Sequence, residues 1–177
     1  MNSTPTILLI SGSTRDGSTN TAALRTVQAI APEDVSTELY SGLVDLPQFV
    51  PGDAPAPEAV SELRRRLAAV DAVLFCTPEY AGLLPGSLKN LLEWVVGSGE
   101  LNEKPVAWIN VAPDGRGDGA VASLRTALGY VGAEIVDAAC ARVTVARDAV
   151  GPDGVVADGE VRERLAANLS RLVERAR

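Results

Sequence analysis

Histidine is absent from the 177 residues, and the chain has only two cysteines and one methionine. Without histidine, Ser-His-Asp and Cys-His catalysis and the common zinc sites are excluded, and we expect no resident metal ion. Cys76 and Cys140 each lie in an apolar stretch, which favours buried small side chains over a disulfide or a nucleophile. Neither cysteine begins the Cys-x5-Arg pattern of a phosphatase loop, because position 82 is glycine and Arg142 follows Cys140 too soon.

Positive charge is also scarce, with 16 Lys and Arg against 23 Asp and Glu and a formal net charge of −7. A general basic surface is therefore not expected, so nucleic acid and anionic membranes are not expected as partners. Any anionic ligand must be held by local groups. The N-terminus has neither a charged leader region nor a long apolar run, so we expect no signal peptide, no membrane span and a cytoplasmic location.

Length and composition predict one globular domain over residues 1–177, since 46% of the residues are hydrophobic. Apolar runs and helical periodicity alternate along the chain. They predict strands over 6–10, 35–40, 72–76, 106–111 and 135–145, and helices over 21–30, 58–70, 87–96, 120–131 and 159–175. This alternation is typical of an α/β domain with a mostly parallel five-stranded sheet and right-handed crossovers.

A polar loop follows the first predicted strand and precedes the first helix, at residues 11–20. It is not a P-loop, because no lysine follows its second glycine, and two glycines are too few for a dinucleotide fingerprint. Its hydroxyl groups, one amide and the cation of Arg15 suit a phosphate monoester at a helix N-terminus. The alternative is an ordinary turn in which Ser18, Thr19 or Asn20 caps the helix.

Two further loops with unusual composition, at residues 77–87 and 112–119, also follow predicted strands. In open parallel sheets, ligands bind outside the carboxyl ends of the strands. We therefore expect the three loops to converge on one site.

Two separated motifs carry a family resemblance. The stretch 12–20, Gly-Ser-Thr-Arg-Asp-Gly-Ser-Thr-Asn, resembles the phosphate loop of the NADPH-dependent FMN reductase family. The stretch 77–90, Thr-Pro-Glu-Tyr-Ala-Gly-Leu-Leu-Pro-Gly-Ser-Leu-Lys-Asn, is similar to that family's second conserved segment. The resemblance implies a flavodoxin-like fold with three layers, strand order 2-1-3-4-5 and helices on both faces of the sheet.

The resemblance also implies a cofactor site for FMN. Ser13, Arg15, Ser18 and Asn20 would hold the phosphate, and the predicted site includes their neighbours Thr19 and Thr21. The flavin ring would lie along Pro78, Glu79, Tyr80, Ala81 and Gly82, and its pyrimidine side would meet Ala112 and Gly115. Lys89, Asn90 and the helix as far as Trp94 would lie near a subunit interface, which implies a homodimer or a homotetramer.

The implied activity is an FMN-dependent NAD(P)H oxidoreductase with a ping-pong mechanism. NADPH or NADH would give a hydride to flavin N5, and a small acceptor such as a flavin, quinone, azo compound or chromate would then be reduced. No catalytic residue is expected, because the flavin supplies the chemistry. Arg116 either helps to bind a nicotinamide phosphate or is an exposed loop residue.

The sequence departs from the family at Ala81, where asparagine is usual, and at Leu83 and Leu84, where the family has a more polar pair. These departures predict a more apolar flavin rim. Two other functions stay open: a flavodoxin-like electron carrier that binds FMN without efficient NAD(P)H turnover, and a phosphatase or nucleotide-binding protein without flavin.

Overall fold

A parallel sheet forms the middle layer of the molecule. The computed structural model describes residues 4–52 and 54–177. The strands are β1 (Thr6–Ser11), β2 (Ser36–Tyr40), β3 (Ala72–Cys76), β4 (Pro105–Asn110), β5 (Glu134–Ile135) and β6 (Ala141–Arg142). The α-helices are α1 (Thr19–Ile30), α2 (Glu58–Ala69), α3 (Gly86–Val96), α4 (Asp118–Tyr130) and α5 (Gly159–Ala176). The parallel order β2-β1-β3-β4-β5 confirms the predicted flavodoxin-like arrangement.

Side chains of the central strands alternate between two helical layers. Leu8 of β1 and Phe75 of β3 pack in a cluster with α2, α3 and α4. Leu9 and Leu74, one residue away in each strand, pack in a second cluster with α1 and α5. The strands are thus buried on both faces, which explains why their sequences are continuously apolar.

The fifth predicted strand, over residues 135–145, is wrong as a single element. The structure has two short strands here: β5 pairs with the start of β4, and β6 pairs with its end. A 3-10 helix, Asp137–Ala139, separates them. Aspartate and alanine are poor strand formers, and Asn168 of α5 donates a hydrogen bond to the Ala139 carbonyl at 2.9 Å. Residues 137–139 therefore form a turn at a place where the apolar pattern predicted a strand.

The carboxyl ends of β1, β3 and β4 lie level at one edge of the sheet. Ser11 is in register with Cys76, and Cys76 with Ile109. Beyond the strands, the Gly12 amide donates to the Cys76 carbonyl at 2.9 Å. A Cβ atom at Gly12 would lie 2.2 Å from Thr77 Oγ1. The first loop therefore approaches the loop after β3 too closely for any residue but glycine. The first two loops meet, as expected.

Candidate cofactor-binding site

The three loops that follow β1, β3 and β4 enclose a cleft of about 700 Å³. Ligand pockets typically measure about 300–1,000 Å³. Nine of the predicted site residues line the cleft: Ser13, Arg15, Ser18, Thr19, Asn20, Pro78, Glu79, Tyr80 and Ala112. Loops that are distant in sequence therefore form one concave site.

The start of α1 forms one end of this cleft. Ser18 is the N-cap residue, and its Oγ accepts a hydrogen bond from the Asn20 amide at 3.2 Å. Since this cap occupies only one first-turn amide, the helix keeps further donors and the positive end of its dipole for an anion. The capping role and the anion-binding role that the sequence left as alternatives are therefore compatible.

A buried thiol orients the Asn20 side chain at the same end of the cleft. Cys76 Sγ donates to Asn20 Oδ1 at 3.4 Å, and both residues are buried. Burial raises the pKa of the Cys76 thiol, so it stays protonated and acts as the donor. The Asn20 amide nitrogen donates to Ser18 Oγ at 3.5 Å, so both ends of the side-chain amide are held. Cys76 is thus a buried small side chain, as predicted.

Cys140 is only half-buried, and burial raises the pKa of its thiol to about 11. Both cysteines are free thiols. A thiol with a raised pKa is a poor nucleophile at neutral pH, because the thiolate is the reactive form.

Three arginines line the cleft: Arg15, Arg116 and Arg147. The ion pairs formed within residues 4–52 and 54–177 use none of their guanidinium groups. The cleft therefore concentrates positive charge in a chain whose formal net charge is −7. This local charge suits a ligand with more than one anionic group.

Glu79, the carboxylate predicted beside the flavin ring, is bound to a neighbouring helix. Its Oε2 accepts from the Gly119 amide at 2.7 Å and from the Ala120 amide at 3.2 Å, both in the first turn of α4. A carboxylate in this position also interacts favourably with the helix dipole. Glu79 thus joins the loop after β3 to the helix after β4, and its negative charge is satisfied by amides.

A two-residue turn at Ala81 and Gly82 reverses the loop after β3. Tyr80 and Leu83 exchange backbone hydrogen bonds of 3.0 and 3.1 Å, and Ala81 and Gly82 have φ angles of 51° and 77°. Asparagine and glycine suit a turn with two positive φ angles. Alanine at position 81, where the family usually has asparagine, therefore has a strained backbone conformation. The sequence comparison had indicated only a change in side-chain polarity there.

Four predicted site residues do not line the cleft. Ala81 and Gly82 lie at the turn, and Gly82 borders a separate groove between α3 and α4. Thr21 lines a hollow on the other side of the first loop and its Oγ1 lies 2.8 Å from Ser11 Oγ. Gly115 sits in the third loop with a φ of 75°. Their roles toward a cofactor stay predictions.

Sequence reasoning missed Val145, Ala146 and Arg147, which complete the cleft. They follow β6, whose end lies at the same sheet edge as the other three loops. The signal was available, because the predicted last strand ended at residue 145 and its successor segment should also face the ligand.

The site suits a phosphorylated aromatic cofactor. Its lining combines a helix N-terminus and Arg15 with loops that contribute apolar and backbone surface together with Arg116 and Arg147. Fold and site together define a flavodoxin-like protein of the kind that binds a flavin mononucleotide.

Comparison with known proteins identifies the family. Residues 5–146 match the NADPH-dependent FMN reductase family, and the chain belongs to it. An NAD(P)H-dependent FMN reductase of Pseudomonas aeruginosa is 33% identical over 173 residues, which cover 94% of this chain and 92% of the relative. A quinone reductase of Escherichia coli is 31% identical over 104 residues, covering 57% of this chain and 54% of that protein.

Among solved structures, the flavoenzyme NAD(P)H:(acceptor) oxidoreductase FerB of Paracoccus denitrificans superposes with a TM-score of 0.81. It is 29% identical, and the alignment covers 96% of this chain and 98% of FerB. The family and this neighbour establish an oxidoreductase that uses FMN, with NAD(P)H as co-substrate.

Proposed function

We propose that the chain carries out a two-step, ping-pong transfer in which NAD(P)H and a small electron acceptor use the same cleft in turn. The observation that supports this most is the open cleft at the carboxyl edge of the sheet, which residues of all three loops line. Its lining combines the start of α1 and Arg15 with loop residues that follow β3, β4 and β6. A donor and an acceptor that both enter this cleft would reach the ring one after the other.

The chain's own residues supply binding and position. The N-terminus of α1, Ser13 and Arg15 would hold the phosphate, since they provide neutral donors and one charge. Backbone groups of Pro78 to Tyr80 and of Ala112 would border the ring. Bound FMN would supply the hydride-accepting centre, a role that no side chain of this histidine-free protein needs to take.

Arg116 and Arg147 would meet the phosphate groups of the nicotinamide donor. Both line the cleft, and Arg15 already provides a cation for the phosphate end. A charge-assisted hydrogen bond to phosphate contributes about 1.5–3 kcal/mol, which is enough to affect donor affinity. We assign flavins and quinones to the acceptor class, in line with the names of the two relatives, and add azo compounds and chromate because the family resemblance implies them.

The test is anaerobic stopped-flow mixing of the FMN-loaded protein with NADPH and with NADH. We expect loss of the visible absorbance of the oxidised flavin within one turnover, followed by its return when a quinone, a free flavin or an azo dye is added. Each half-reaction should proceed without the other substrate, because a ping-pong mechanism separates them.

Two other results would identify the alternatives. If neither nicotinamide bleaches the flavin on a catalytic timescale, the protein is an electron carrier. If the purified protein is colourless and does not take up added FMN, the cleft binds a different anion. If the reduced flavin is reoxidised only while nicotinamide stays bound, the ping-pong order is contradicted, because in that order the nicotinamide leaves first.

We further propose that a second copy of the chain covers the apolar groove between α3 and α4. The groove measures about 920 Å³ and is larger than the cleft. Leu83, Val96 and Tyr130 border it and are exposed, with Tyr130 at 84%. Lys89 borders this groove, whereas Asn90 and Trp94 donate to the Pro47 carbonyl within the chain at 2.9 and 2.8 Å. The family resemblance placed Lys89, Asn90 and Trp94 near a subunit interface. Of these three residues, Lys89 borders the groove proposed here as that interface.

If the groove is the subunit interface, charged side chains introduced into it should dissociate the oligomer. We expect a homodimer or homotetramer for the wild type and a monomer for the double variant Val96→Lys and Tyr130→Lys, because each lysine would be buried unpaired in the interface. Multi-angle light scattering after size exclusion measures the mass. Val50→Lys is the control, since Val50 is 70% exposed and outside the groove. An unchanged mass in the double variant would refute this interface.

A further inference from the structure

Arg142 lies behind the third loop of the cleft, on the strand that sequence reasoning had merged with β5. It is the last residue of β6 and is in register with Asn110 of β4. Its Nη1 donates to the carbonyls of Ala112, Pro113 and Arg116 at 3.0, 2.9 and 2.7 Å. One guanidinium thus gathers three carbonyl groups of a loop that borders the cleft.

The same guanidinium reaches the helix that follows the loop. Its Nη2 pairs with Asp118, the first residue of α4, and its Nε lies 3.8 Å from Asp114 Oδ1. Arginine presents five donors in a rigid planar fork, whereas lysine presents a single ammonium group. A lysine at this position can keep one of these contacts but cannot keep all of them.

Three more side chains anchor this wall: Asn110, Glu79 and Thr144, whose Oγ1 donates to the Ala112 carbonyl at 3.2 Å. Asn110 Oδ1 accepts from the Ala112 amide at 3.0 Å, and its Nδ2 donates to the Arg116 carbonyl at 3.3 Å. On the far side, Glu79 binds the amides of Gly119 and Ala120. The first turn of α4 is therefore held between Arg142 on one side and the loop after β3 on the other.

The carbonyls that Arg142 binds are turned toward β6, and Arg142 contacts more of the loop's carbonyls than Asn110 or Thr144 does. Arg142 is not among the residues that line the cleft, while Ala112, Pro113 and Arg116, whose carbonyls it binds, are. Its effect on a ligand must pass through the loop. This distinguishes it from Arg15, whose side chain lines the cleft itself.

We propose that Arg142 is a positioning residue that holds loop 112–118 as the third wall of the cofactor cleft and thereby sets the affinity for the flavin ring. The proposal rests on the proposed FMN site. It predicts an effect on the ring that is independent of the phosphate, because the phosphate end is built by a different loop, at residues 11–20.

The test compares Arg142→Lys with the wild type for binding of FMN and of riboflavin. We expect both dissociation constants to rise by a similar factor of about ten, equivalent to about 1.4 kcal/mol. Hydrogen exchange of the apo-protein should show faster exchange at the amides of loop 112–118, with no change in loop 11–20. Asp118→Asn, which weakens only one of the Arg142 contacts, should give a smaller effect of the same kind.

Arg175→Lys is the matched control. Arg175 forms a bidentate ion pair with Glu134 at 2.5 and 2.6 Å and does not line the cleft. It should leave both affinities and the exchange of loop 112–118 unchanged.

Two results would overturn this proposal, and a third would support it while contradicting the proposed FMN site. Unchanged loop exchange in Arg142→Lys, or a loss of affinity for FMN without an equal loss for riboflavin, overturns it. Faster loop exchange in a protein that binds no flavin in any variant supports the anchoring by Arg142 and contradicts the proposed FMN site. The exchange measurement therefore distinguishes failure of this inference from failure of the function on which it rests.

Discussion

Replacing Arg15 with alanine is expected to weaken binding of FMN by roughly ten- to hundredfold and binding of riboflavin by less than twofold. The loss corresponds to about 1.5–3 kcal/mol, the usual contribution of a charge-assisted hydrogen bond. Riboflavin lacks the phosphate, so it cannot lose this contact. Quenching of flavin fluorescence on titration with apo-protein measures both dissociation constants.

Arg25→Ala is the control for Arg15→Ala. Arg25 is an exposed arginine on α1, and it lines the hollow on the other side of the first loop rather than the cleft. Its replacement removes the same charge from the protein without removing a cation from the cleft. Equal losses for FMN and riboflavin in Arg15→Ala would show that the first loop does not bind the phosphate.

Gly119→Ala is expected to have the largest effect on the structure of the cleft. A Cβ atom at Gly119 would lie 2.0 Å from the Gly82 carbonyl oxygen and 2.9 Å from Glu79 Oε2. Backbone atoms cannot stay that close, so the loop after β3 must move away from α4. Overpacking of this kind costs about 1–3 kcal/mol in the free energy of unfolding, and FMN affinity should fall with it.

The same helix provides the control, because Gly129 also lies in α4. An added Cβ atom there would meet nothing within 4 Å. Gly129→Ala should therefore raise the free energy of unfolding, by up to about 1 kcal/mol, since alanine favours a helix over glycine. Urea denaturation measures both variants. If Gly119→Ala is as stable as the wild type, the close contact between the loop and α4 does not exist in solution.

Most of the fold could be predicted from the sequence because the apolar pattern is strong. The runs that became β1, β3 and β4 are buried on both faces and are therefore continuously apolar, which identifies central strands. The helix periodicity located α2 and α5 to within one residue at each end. The 135–145 segment was mispredicted because its apolar content is that of a strand, whereas residues 137–139 form a turn whose Ala139 carbonyl accepts a hydrogen bond from Asn168 of α5.

The candidate site was predicted only where a motif exists. The residues around Arg15 and around Tyr80 carry patterns several positions long, so their place at the cleft could be stated from the sequence. Arg147 and Arg142 carry no pattern. Their positions depend on how β6 pairs with β4, which a one-dimensional pattern does not contain.

By itself, the sequence determined the class of chemistry that this protein uses and predicted the edge of the sheet where it takes place. The absence of histidine removed Ser-His-Asp and Cys-His catalysis and the common zinc sites, and the polar loop after the first apolar strand indicated a phosphate. Only the tertiary structure decided which groups Glu79 and Arg142 bind. Glu79 binds amides that lie 40 and 41 residues further along the chain, and Arg142 binds carbonyls 26 to 30 residues earlier. Such contacts depend on which strands become neighbours, and the same residue types at other positions of the sheet would be ordinary surface charges.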